Sequence, residues 1–221
     1  MKKSYLIAIC VILLSFLIGI YLYTYMPERM ASHWNALGEV NGYMPRFWGL
    51  FLMPFVSILM LILFVIIPAI DPLNKNIEKF RSYYDIFVVI MISFLFYLYL
   101  LTLFWNLGSR FNLPSFLAPA FGVLLFYCGV LISNAKRNWS IGIRTPWTLS
   151  SDVVWERTHD LGGRLFKISG LISLLGVFLP EYAIIFVIIP SIFSAIFSFF
   201  ASYLFYLQEG KLREWNVKEK R

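Results

Sequence analysis

Lys2 to Met26 reads "K-K-S-Y-L-I-A-I-C-V-I-L-L-S-F-L-I-G-I-Y-L-Y-T-Y-M", a basic pair followed by a long apolar run. Two readings compete: a secretory signal to be removed, or a span that stays in the membrane. The apolar run exceeds the ~7–15 residues of a signal's hydrophobic region. No small-x-small cleavage site follows it. The stretch therefore reads as a transmembrane helix, and the rest of the chain repeats the pattern.

Of 221 residues, 60% are hydrophobic and only 14% charged, and mean hydropathy is +0.74. Soluble domains carry about 25% charged residues. A crossing helix needs ~20 apolar residues, and six segments offer that length or near it: Ser4–Met26, Phe47–Ile70, Asp85–Trp105, Asn112–Ser133, Arg164–Leu179 and Tyr182–Leu207. The fifth is the shortest. The expected fold class is all-α: a polytopic membrane protein of six transmembrane helices.

Charge gives the orientation. With the N-terminus inside, every Lys and Arg except Arg29, Arg46 and Arg110 falls on the cytoplasmic side. Basic residues concentrate in cytoplasmic loops, so both termini are expected in the cytoplasm of a cell-membrane protein. This bias accounts for most of the net charge of +7 without invoking direct nucleic-acid binding. Membrane lipids are the partner it implies. The tail "K-L-R-E-W-N-V-K-E-K-R", Lys211 to Arg221, is expected at the lipid surface. In the last span, Ser191, Ser194, Ala195, Ser198, Ala201 and Ser202 share a helix face, a stripe expected to pack inside the bundle.

The chemistry that is missing narrows the function. No ionisable residue sits deep in a span, which counts against proton-coupled transport and pumping. There is no phosphate-binding glycine loop, HExxH or nucleophile elbow. Cys10 and Cys128 are isolated in apolar runs. His33 and His159 are expected on opposite sides of the membrane, so they share no metal. Catalytic residues, metal and cofactor are each expected to be none. The only cluster resembling an enzyme's is His159 with Asp160, Arg144 and Glu156, and it lacks a nucleophile.

Two polar loops carry the remaining information. The external one, "M-P-E-R-M-A-S-H-W-N-A-L-G-E-V-N-G", offers Pro27, His33, Asn35 and Gly38. Its glycines indicate tight turns. Ordering of the loop is the preferred role for His33, contact with an external ligand the other. The internal loop, 134–164, contains "I-G-I-R-T-P-W-T-L-S-S-D-V-V-W-E-R-T-H". Thr145 before Pro146 is expected to be extended. Ser150, Ser151 and Asp152 are helix-cap candidates. The helix that follows would place Trp155, His159 and Gly162 on one side, with Gly162 and Gly163 as a hinge into the fifth span. Trp139, Trp147 and Trp155 are expected at the membrane edge. Arg144 has two readings, a lipid phosphate contact or a buried bidentate lock, and the lock is preferred.

The internal motif closely resembles the signature of the SdpI family of bacterial immunity proteins, through Gly142, Arg144, Thr145, Pro146, Trp147, Thr148, Leu149 and Trp155, with His159 in a looser position. The likeness continues through "P-E-Y-A-I-I-F-V-I-I-P". The external loop resembles the short DUF1648-type membrane domain that precedes it in such proteins. On this basis residues 1–72 form an N-terminal membrane region and 73–221 an SdpI-like region. The resemblance implies an immunity protein that binds a secreted toxic peptide outside and holds a cytosolic transcriptional repressor at the membrane. A small transporter or exporter is the alternative that the residues themselves leave open.

Overall fold

The computed structural model describes residues 3–219, with side chains described through Leu212. Trp215 and the tail's basic residues from Arg213 onward, expected at the lipid surface, lie outside the described side chains, as does Lys2. The order is α1 (Lys3–Leu22), β1 (Arg29–Trp34), β2 (Val40–Pro45), α2 (Arg46–Ile70), α3 (Asn74–Glu78), α4 (Arg81–Asn106), α5 (Leu113–Asn134), α6 (Pro146–Ser150), α7 (Asp152–Ser173) and α8 (Ala183–Glu219). Two short 3-10 turns, Leu174–Val177 and Pro180–Tyr182, join the last two helices.

Among the described residues, five helical segments are long and apolar enough to cross a membrane: Lys3–Leu22, Arg46–Ile70, Arg81–Asn106, Leu113–Asn134 and Pro180–Leu212. Their outward residues are bare hydrocarbon, with Leu17, Ile20 and Phe200 all more than 60% exposed. Apolar surface on helices of this length fits contact with lipid.

Six was expected. The remaining segment, Arg164–Leu179, is not a separate apolar helix. It is the second half of α7 running into a 3-10 turn. The first half of α7 carries Asp152, Glu156, Arg157 and Asp160, so the helix as a whole is not apolar. Nor do Gly162 and Gly163 act as a hinge, because α7 is continuous through both.

Those glycines serve a different purpose. A Cβ on Gly129 would lie 2.5 Å from the carbonyl oxygen of Gly163, and one on Gly170 would lie 2.5 Å from that of Gly122. Seven residues separate the two glycines on each helix, so α5 and α7 run backbone to backbone in opposite directions. Farther along, Gly176 meets Ala118. Small residues permit this approach where lipid supplies no hydrophobic drive between helices. The serine stripe of α8 closes the other side of α7. Ser194, Ser198, Ala201 and Ser202 are buried, and Ser169 and Ser194 share a hydrogen bond of 2.8 Å. Ser191 is half-buried and Ala195 is exposed, so the packed face is narrower than the stripe.

The strands are a second departure from an all-α fold. β1 and β2 form an antiparallel hairpin with Met30 opposite Met44. Its turn works because Gly38 takes φ +83°, a left-handed conformation that glycine adopts freely. Met30 and Ala31 are fully buried, and Met30 packs with Leu50, Phe51 and Leu103 to fasten the hairpin on α2 and α4. At the opposite end of the bundle, Phe64, Phe80, Tyr84, Leu131, Ala135 and Trp155 form one core that joins the N-terminal helices to the C-terminal ones.

Candidate functional site

The two polar segments fall at opposite ends of the bundle. At the loop end, residues 135–151 fold back over the helix ends. Asn138 is completely buried and organises the turn. Its side-chain amide donates to the carbonyls of Lys136 and Ile141, both at 2.8 Å, and its oxygen accepts from Ser140 N and Ile141 N. Asp71, 3% exposed at the end of α2, accepts from Trp139 N at 3.0 Å and Ser140 Oγ at 2.6 Å. A buried carboxylate is tolerated when such donors replace water.

The signature residues follow. Thr145 is extended, as its proline demands, and caps α6. Its Oγ1 accepts from Thr148 N at 3.1 Å, while Thr148 Oγ1 accepts from Thr145 N at 2.9 Å. Pro146 holds the first helical position, where a missing N–H costs nothing. Trp147 packs edge-on against Phe199 and lies beside Tyr203 of α8. Leu149 packs against the core at this end, and its carbonyl accepts from Arg137. Of the three cap candidates, Ser151 caps α7, and its hydroxyl donates to Glu209 of α8 at 2.6 Å.

Trp155 and His159 share a face with Gly162, as the helical spacing indicates. Both are 1% exposed, and their rings stack 3.9 Å apart. Trp155 is therefore in the core, not at a membrane edge, and its Nε1 donates to Ala135 O at 2.8 Å. Trp139 is exposed and Trp147 half-buried. His159 Nε2 accepts from Ile143 N at 3.0 Å, so its hydrogen sits on Nδ1 and is donated to Trp155 O at 2.8 Å. Burial pushes the imidazole pKa down to about 4, against the smaller opposing pull of the Trp155 carbonyl. The ring is neutral at physiological pH, with both nitrogens occupied. Gly142 is what lets the loop reach it: φ is +119°, and a Cβ there would lie 2.4 Å from His159 Nε2.

Arg144 is not the buried bidentate lock that was preferred. It is exposed, and one Nη1 hydrogen goes to Trp139 O. The other members of the would-be enzyme cluster have partners of their own: Glu156 pairs with Lys136 and Asp160 with Arg164.

At the hairpin end, Asn35 ties the turn. Its Oδ1 accepts from Leu37 N at 3.0 Å and Glu39 N at 2.9 Å. His33 Nδ1 meets Asn41 Oδ1 across the strands, the ordering role preferred for it. Pro27 O accepts from Arg46 Nε. Gly38 approaches Asn112, which caps α5. Asn106 clasps β1 by both backbone groups of Ala31, at 2.8 and 3.0 Å. Under the hairpin lies an apolar groove of about 430 Å³ between α2, α4, α5 and α8. Ser32, His33, Trp34 and Asn35 roof it, and Leu98, Thr102, Leu117 and Val187 are among its walls. The indole N–H of Trp34 is shielded there and has no acceptor among the described residues.

Sequence reasoning missed Asn138, Asp71, Asn106 and Glu209. Asn138 carried a readable signal, since an asparagine that bonds the backbone two and three residues on is a turn-former. The glycine seam was also readable, as two pairs spaced by seven. Asp71, Asn106 and Glu209 act through contacts distant in sequence and left no local trace.

No solved structure matches this chain. Residues 10–58 match a domain of unknown function, DUF1648, and residues 134–202 match the SdpI/YfhL protein family. The chain is 28% identical over 207 residues to the immunity protein SdpI of Bacillus subtilis (strain 168), covering 93% of this chain and 97% of that protein. The matched C-terminal residues contain the whole signature loop, α7 and the serine stripe of α8. Together the apolar helices and these matches make the chain a multi-pass membrane protein similar to the SdpI/YfhL family over its signature region, with a DUF1648-like region ahead of it.

Proposed function

We propose that this protein is a non-enzymatic immunity protein, which protects its cell by taking a secreted toxic peptide into the groove beneath the hairpin. The likeness to a relative named as an immunity protein, over nearly the full length of both chains, supports the general role. The observation that carries the specific reading is the groove. It is apolar, large enough for several side chains, and roofed by a shielded Trp34 N–H that awaits an acceptor. A shielded donor without an acceptor is costly, and a peptide carbonyl supplies one. Full use of both His159 nitrogens fits a non-catalytic role for the loop end.

In this reading the hairpin is extracellular and both termini are cytoplasmic. The basic bias of the loop end supports that orientation. The second half of α7 with the 3-10 turn makes the sixth crossing, since it follows α5 from Gly129 to Ala118. The loop end then faces the cytosol, where Trp139 is exposed for a partner such as a transcriptional repressor. The test is expression in a strain that is sensitive to such a peptide and lacks its own immunity protein. Survival should rise with the amount of protein in the membrane. Unchanged survival with the protein correctly inserted overturns the role for that peptide.

A further inference from the structure

A second cleft, below the signature loop, has no part in the reading above. It lies between α2 and α8, with Phe64 and Ile67 on one side and Phe199 on the other. Its floor is Leu131 and Ile132 of α5 and Phe166 of α7, and it encloses about 490 Å³. Ala195 and Phe199 are exposed along it, so it opens sideways, toward where lipid lies. Away from the loop end the lining is apolar apart from the Cys128 thiol and the Tyr84 hydroxyl, which donates to Phe64 O at 2.9 Å, and Ser140, Arg144 and Thr145 close the cleft at the loop end.

The polar groups at that end differ in what they still need. Ser140 is bound to Asp71, and Thr145 to Thr148 and Ser202. Arg144 carries five N–H donors, and the one hydrogen bond described for it goes to Trp139 O. The acids of this end have partners of their own: Asp71 the loop backbone, Asp152 Arg137, Glu156 Lys136, Asp160 Arg164 and Glu209 Ser151. A guanidinium held at the mouth of an apolar cleft matches an amphiphile, with the chain in the cleft and the anion on the planar fork.

We propose that this cleft binds an anionic phospholipid of the surrounding leaflet, one acyl chain between α2 and α8 and the phosphate on Arg144. A soluble phosphate would satisfy the guanidinium but leave the cleft unused. The assignment to the cytoplasmic leaflet rests on the orientation proposed above; the site itself does not. A test in detergent therefore fails or succeeds independently of the immunity role.

Native mass spectrometry of the full-length protein, with dioleoylphosphatidylglycerol or dioleoylphosphatidylcholine added, reads the site. Wild type should retain the anionic lipid about tenfold better. Arg144→Gln should bring that ratio close to one, and Arg164→Gln, an exposed cation of the same end, should leave it unchanged. Arg144→Lys, which keeps the charge but loses the fork, should fall between wild type and Arg144→Gln. Ile132→Trp, which fills the cleft, should reduce retention of both lipids while Arg144 is intact. The proposal is overturned if Arg144→Gln keeps the wild-type ratio, if Ile132→Trp retains lipid fully, or if millimolar inorganic phosphate alone displaces the lipid.

Discussion

The two ends of this bundle solve the same problem in opposite ways. Each must finish a set of membrane helices with a polar segment. The loop end does so by burial: Asn138, Thr145, Thr148 and His159 are all at most 3% exposed, and their side chains bond to backbone groups of the loop and of α7. The hairpin end does so at the surface, with Asn35, His33 and Asn41 bonded in the open and a groove left beneath them. A buried network tolerates little change, because each lost partner strands another polar group. An exposed turn over an open groove tolerates substitution. The difference explains why the recognisable motif sits at the end held by buried bonds, while the hairpin end is held by bonds that water can replace.

The sharpest way to break this contrast is a matched pair of glycine substitutions. Gly142→Ala and Gly38→Ala both place a Cβ on a positive-φ residue. At Gly142 the new atom also strikes a buried imidazole, at 2.4 Å. At Gly38 its nearest neighbour is the Asn112 side-chain amide, at 3.1 Å. Gly142→Ala should cost about 3 kcal/mol or more, and Gly38→Ala about 1 kcal/mol. Thermal unfolding in detergent measures both, and equal losses would remove the distinction.

Two asparagines give the next comparison. Asn138→Ala removes four buried hydrogen bonds and strands their backbone partners, for about 3 kcal/mol. Asn35→Ala loses exposed bonds that water replaces, for about 1 kcal/mol. The same unfolding measurement should rank them in that order.

A pH series sharpens the loop end alone. The His159 pKa is about 4 in the fold and 6.5 when unfolded, so between those values the unfolded chain binds the extra proton. Stability therefore rises with pH across that window and falls as pH drops from 6.5 toward 4, by at most about 3 kcal/mol. His159→Gln should start less stable and lose this part of the pH dependence. An unchanged slope would mean that the imidazole is not held neutral.

Much of this was legible in the sequence, in uneven portions. The apolar runs mark five crossing segments to within a few residues, because hydrophobicity over ~20 positions is a strong local signal. Thr145–Pro146, the Ser151 cap and the Trp155–His159–Gly162 face follow from spacing alone. The polar first half of α7 masked its character, since charges near a helix start resemble a loop. Trp155 was misplaced to the membrane edge because tryptophan favours that zone in general, and only the packing of α4 and α5 decides otherwise here. The hairpin was hidden by its short strands. Arg144 was expected in a buried pair because no local pattern reveals that the nearby acids already have other partners.

The most direct measurement is survival of peptide-exposed cells carrying wild type, Leu117→Trp or Asn35→Ala at equal membrane levels. Leu117 lines the groove and is half-buried, so the larger ring fills the space without entering the buried loop network. The account predicts protection by wild type, near-complete loss with Leu117→Trp, and retention of most protection with Asn35→Ala. Full protection by a stably inserted Leu117→Trp protein would contradict it.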